Sequence, residues 1–102
     1  MTIKLSMKSD PKNFMDERGK LLTFLSENRG YSYTTAGLMV NVFAVNVEDL
    51  SKHFNTWSKE HQNLYKRIRR SMTHFEKTNK VIHFMTGNAI FYQFKPSENQ
   101  LM

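Results

Sequence analysis

The twenty residues from Ser58 to Lys77 constrain the fold more than any other stretch of the chain. Leu64, Ile68, Met72 and Phe75 fall within roughly 80° of arc at ~100° per residue, a stripe that a helix buries on one side. Lys59, Lys66, Arg70 and Lys77 lie about opposite, within roughly 40° of one another on the same wheel. Gln62, Asn63 and Thr73 share that outer face. The spacing predicts a helix over 58–77 with an apolar seam and a basic back. "VIHFM" and "AIFYQF" follow directly and flank Thr86-Gly87-Asn88. Glycine accepts positive φ at no steric cost, so these residues predict a β-hairpin.

The first half of the chain invites the same reading. Asp10-Pro11 is a good helix start, because Asp can accept a bond from an orphan N–H and Pro fits the first helical position. Phe14, Leu21, Leu22 and Leu25 recur at helical spacing, with Arg18 interrupting the stripe. Asn28 and Gly30 mark the end. "YSYTTAGLMVNVFAV" is rich in β-branched and aromatic residues around Gly37. It reads as strands near 31–35 and 39–45; a short amphipathic helix capped by Thr34 or Thr35 is the competing reading. Asn46 caps a predicted short helix over 47–56, with Glu48 and Asp49 near its positive end, and Trp57 follows at the junction.

Shifted by fifty residues, the halves overlay. Phe14 falls on Leu64, Leu22 on Met72, Leu25 on Phe75, and Gly37 on Gly87. The expected fold is therefore α+β, an internal duplication of a helix–β-hairpin motif around a single core. Motif one spans about 10–45, the connector helix about 46–57, motif two about 58–95 and a flexible tail 96–102, all within one domain. A helix on a two-stranded ribbon hides too little apolar surface alone, and two copies pressed together would share a core.

Charge and composition narrow the function. Lys59, Lys66, Arg67, Arg69, Arg70, Lys77 and Lys80 face only Glu60 and Glu76 between Ser58 and Lys80, so this stretch holds +5 of the chain's net +6. Such a stripe suits an anionic partner such as nucleic acid, and it also suits a plain solvated helix face. There is no cysteine, which excludes disulfides and thiolate metal sites. The opening "MTIKLSMK" lacks the apolar core of a signal peptide, and "AGLMVNVFAV" is too short to span a bilayer. A soluble, intracellular protein with no membrane partner is expected. Phosphate-binding and dinucleotide-binding glycine patterns are absent. His53, His61, His74 and His83 have no metal-ligand spacing, and Asp16 and Glu17 diverge on a helix rather than forming a working pair. No catalytic residue, cofactor, metal or small-molecule substrate is expected.

Two resemblances follow from these motifs. From Val47 onward the chain resembles a winged-helix DNA-binding domain, with "VEDLSKHF" as supporting helix, "NLYKRIRRSMTHFEKTNKVI" as recognition helix and "VIHFMTGNAIFYQF" as wing. The resemblance implies that Lys59, Gln62, Asn63, Lys66, Arg67, Arg70 and Lys77 face DNA. It departs from that family in a longer spacing between the helices and in a hairpin tip without Lys or Arg. The paired halves around Gly37 and Gly87 also resemble small proteins of filamentous archaeal viruses. That resemblance implies two like motifs, a place in the host cytoplasm and a role in holding a peptide or protein segment. The leading expectation is thus a non-catalytic interaction protein. It would hold an extended segment in a cleft between the two motifs, against Tyr31, Tyr33, Phe91 and Tyr92. DNA binding through the basic face of helix 58–77 is the alternative.

Overall fold

The computed structural model describes residues 16–96. Helix α1 runs to residue 27, within a described range beginning at 16. It ends where Asn28 donates its backbone N–H and its side-chain Nδ2 to the Phe24 carbonyl, at 3.0 and 2.8 Å. Gly30 at φ 95° then turns the chain. A two-residue strand β1 (Ser32–Tyr33) leads into helix α2 (Thr35–Phe43). Two 3₁₀ turns, Val47–Leu50 and Phe54–Thr56, precede helix α3 (Lys59–Lys77). Strands β2 (Val81–Thr86) and β3 (Ala89–Phe94) close the fold. The expected start at Asp10-Pro11, Phe14 and the tail beyond Pro96 lie outside the described residues.

Helix α3 and the second hairpin form as the sequence predicts. Ser58 Oγ accepts the His61 N–H at 3.1 Å and caps the α3 N-terminus. At the other end Asn79 sits at φ 62°. Lys80 N–H reaches Phe75 O at 2.8 Å and Asn79 N–H reaches Glu76 O at 3.1 Å. This is a Schellman closure, and it turns the chain straight into β2. Thr86 pairs with Ala89 across Gly87 and Asn88, with φ +64° at Gly87. Glycine at the first of two central positions is what a two-residue hairpin turn of this hand needs.

The hairpin expected over 31–45 is not present. Thr34 Oγ1 accepts the Gly37 N–H at 3.0 Å, and a helix begins where strands were predicted. Burial explains the outcome. Leu38 and Met39 are neighbours and both are fully buried. Neighbours in a strand point to opposite faces, whereas neighbours on a helix can share one buried arc. Gly37 is the third residue of α2 and needs no positive φ. A fifty-residue offset therefore lays a helix over a hairpin, so the described residues hold one helix–hairpin unit, and the paired halves behind the viral resemblance are not both among them. The short helix expected over 47–56 is also corrected: two separate 3₁₀ turns occupy it, although Asn46 Oδ1 does cap the first by accepting the Glu48 N–H at 3.2 Å. "VEDLSKHF", the supporting helix of the winged-helix resemblance, is therefore not a continuous helix.

The sheet is antiparallel in the order β1-β3-β2. Ser32 pairs with Gln93 and Tyr33 with Tyr92, and β2 pairs with β3 along its whole length. The buried side chains come from every layer: Leu21 and Leu25 of α1, Leu38 and Met39 of α2, Leu64, Ile68, Met72 and Phe75 of α3, then Val81 and Tyr92 of the sheet. Arg18, the polar interruption in the α1 stripe, points at α3 and donates Nε to the buried Ser71 hydroxyl at 3.3 Å. That contact supplies a partner to a polar group that would otherwise cost about 1–3 kcal/mol to bury.

Candidate nucleic-acid interface

The core stripe of α3 fixes which way its charges face. Leu64, Ile68, Met72 and Phe75 turn inward against α1, α2 and the sheet, so Lys59, Asn63, Lys66, Arg70, Thr73 and Lys77 project outward and are exposed. Among the described residues none of these four cations has an ion-pair partner. Their positions on the helix span roughly 27 Å along its axis, from 59 to 77 at 1.5 Å per residue. Arg69 stands on the flank of this row nearest the hairpin. Its guanidinium is held above its ordinary value, first by hydrogen bonding to Tyr65, then against an opposing burial penalty, with Tyr92 adding.

Two residues assigned to the outer face do other work. Arg67 donates Nε and Nη2 to the two carboxylate oxygens of Glu17 on α1, both at 2.9 Å. This forked pair ties α1 to α3 and neutralises the charge. The same contact is the main reason the Arg67 guanidinium is pushed above its ordinary value. Gln62 donates Nε2 to the Phe54 carbonyl at 3.1 Å and the Trp57 carbonyl at 3.2 Å. It staples the connector to α3 through its Nε2.

That connector carries a feature the sequence reading did not single out. Phe54, Trp57 and Tyr65 meet as a cluster, with ring centroids 5.1 Å apart for Phe54–Trp57, 5.1 Å for Phe54–Tyr65 and 5.5 Å for Trp57–Tyr65. Trp57 donates its indole N–H to the Lys52 carbonyl at 3.0 Å. Aromatic residues on both sides of a capped helix start were the signal available for it. Phe54, Tyr65, Lys66, Arg69 and Arg70 line an open depression of about 410 Å³. Tyr65 and Arg69 also border the next depression, toward the hairpin turn at Asn88 and Ala89. A larger depression, about 610 Å³, lies elsewhere, between α1 and α2, where Asp16 and Glu27 stand against Lys20. Its two carboxylates outnumber its one cation, and it sits off the basic row.

The four aromatic residues expected to line a peptide cleft are not gathered. Tyr31 is exposed ahead of β1, and Tyr33 packs edge-on against Phe24 at 5.0 Å. Tyr92 is buried opposite Tyr33. Phe91 lies on the other face of the sheet, stacked on Phe84 at 6.0 Å. Ile82 and Phe84 on that outer face and Met85 on the opposite one are exposed, and among the described residues no strand pairs with the outer edge of β2. His83 contacts Glu76 across the α3–β2 seam. Among the described residues no three His, Cys, Asp or Glu side chains are grouped to hold a metal, and no helix is long and apolar enough to cross a membrane. No protein-family model, curated protein or solved structure matches the chain.

Proposed function

We propose that the chain is a non-catalytic, winged-helix-like protein that binds duplex DNA through the outer face of α3. The observation that carries this reading is the exposed row Lys59, Lys66, Arg70 and Lys77, without ion-pair partners among the described residues, on a helix whose opposite face is locked into the core. The order helix, short strand, helix, helix, hairpin with strands arranged β1-β3-β2 supports it, because that order sets the basic helix beside a hairpin. A helix of this diameter fits the major groove, where cations neutralise phosphates on either wall. Asn63 and Thr73, on the same face, are the polar side chains placed to meet base edges. The test is retention on immobilised mixed-sequence DNA followed by a salt gradient. The wild-type chain is retained at about 50 mM salt and the Lys66→Glu/Arg70→Glu chain is not. Failure of the wild-type chain to bind at that salt removes this reading.

A second reading keeps one observation of its own. The free β2 edge, with Ile82, Phe84 and Met85 exposed beside it, suits an added strand from an extended peptide. This site is the outer edge of one hairpin, not a cleft between two. Replacing Met85 with Lys should abolish peptide capture and leave DNA retention intact.

A further inference from the structure

The geometry points to a second nucleic-acid contact on this chain: a stacking platform at Phe54 that takes an unpaired base, with Lys66, Arg69 and Arg70 holding the phosphates of the same strand. The inference builds on the duplex-binding reading; it assigns a different ligand chemistry to a surface that shares Lys66 and Arg70 with the basic row and adds Phe54 and Arg69.

Three observations converge. Phe54 is 36% exposed, although it belongs to an aromatic cluster. A ring whose only task was to fill the core under the connector would be covered. Three cations spaced over about one helical turn, Lys66, Arg69 and Arg70, line the same open depression as Phe54 and Tyr65. A purely apolar partner would leave those charges unmatched, and a simple anion would leave the ring unused. A nucleotide satisfies both, because it presents a flat π-face and a phosphate on one short scaffold. The platform is also rigid before any ligand arrives. Gln62 holds the Phe54 and Trp57 carbonyls, and Thr56 Oγ1 donates to the His53 carbonyl at 2.6 Å. Phe54 is braced from behind by Trp57 and Tyr65. A pre-set ring loses little freedom when a base stacks on it.

A base inside a duplex is already stacked on both sides, so the platform is of use only for a base outside a helix. The surface therefore fits a single strand, a frayed end or a flipped base beside the duplex held by α3. The alternative is that the three rings serve only to fix the connector, in which case nothing stacks on Phe54.

Trp57 is the sole tryptophan of the chain, and its ring centre lies 5.1 Å from that of Phe54, so its emission reports on the platform. The experiment titrates the full chain with a homothymidine strand of about ten residues and, separately, with a mixed-sequence duplex. Phe54→Leu keeps the apolar volume and removes the π-face, and Phe54→Tyr keeps both; circular dichroism verifies that each variant is folded. The single strand is expected to quench Trp57. Phe54→Leu should weaken single-strand binding roughly tenfold, as loss of one stacked base does, with duplex affinity unchanged, and Phe54→Tyr should restore it. If the duplex binds and the single strand does not, the platform is overturned and the duplex reading stands. Equal weakening of both ligands by Phe54→Leu also overturns it, by showing that Phe54 merely supports α3. If neither ligand binds, the duplex reading falls together with the platform.

Discussion

Residues 31–45 and 81–94 are alike on paper and opposite in space. Each mixes β-branched, aromatic and small residues around a central glycine, and each follows a helix. The later one is a hairpin, and the earlier one is two residues of strand followed by α2. Composition does not separate them. What separates them is where the neighbouring layers leave room. After α3, Asn79 and Lys80 close the helix and send β2 out along it, so Val81 is covered and the rest of the strand is exposed. After α1, Gly30 turns the chain back under α3, where only a segment apolar on adjacent residues fills the space. Leu38 and Met39 meet that demand as a helix and could not as a strand.

The sharpest way to break this contrast is to truncate the adjacent pair. Leu38→Ala and Met39→Ala should each lower stability by about 2–5 kcal/mol, because each leaves a cavity in a closed core. Urea denaturation measures it. A hairpin at 31–45 would make only one of the two expensive. The two glycines give the next effect. Gly87→Ala places a Cβ at φ +64° and should cost about 1 kcal/mol. Gly37→Ala should be close to neutral, since a helix gains about 1 kcal/mol from the exchange while the new Cβ comes within 3.3 Å of Thr34 Oγ1. Equal costs at both glycines would restore the twin-hairpin picture. Thr34→Ala should cost about 1 kcal/mol through loss of the cap, and circular dichroism should show less helix. Breaking the half-buried fork with Arg67→Gln should have the smallest effect, about 1 kcal/mol.

The sequence was most legible where periodicity was long. Nineteen residues of α3 with Leu64, Ile68, Met72 and Phe75 in one stripe leave no alternative, and Gly87 between two apolar runs marks its own turn. Helix α2 has nine residues, and over so short a run a helix and a buried strand share the same composition. The Thr34 cap was visible as the competing reading, yet nothing local showed that Leu38 and Met39 would both be enclosed. The basic row on α3 was legible for the same reason as the core stripe. The roles of Arg67 and Gln62 were not. Glu17 lies fifty residues away from Arg67, and the carbonyls that Gln62 holds belong to an irregular turn. The Phe54 platform was hidden because a ring between two turns can pack inward or outward, and only the tertiary placement of Tyr65 and Arg69 decides it.

The most direct test of α3 as a duplex-binding helix is the slope of log affinity against log salt, measured for mixed-sequence DNA. Four exposed cations predict a slope of about −3 to −4 for the wild-type chain. Lys66→Gln/Arg70→Gln should make it shallower by about two, while Arg67→Gln, whose charge is already matched by Glu17, should leave it unchanged. A slope indifferent to Lys66 and Arg70 but altered by Arg67→Gln would contradict the account.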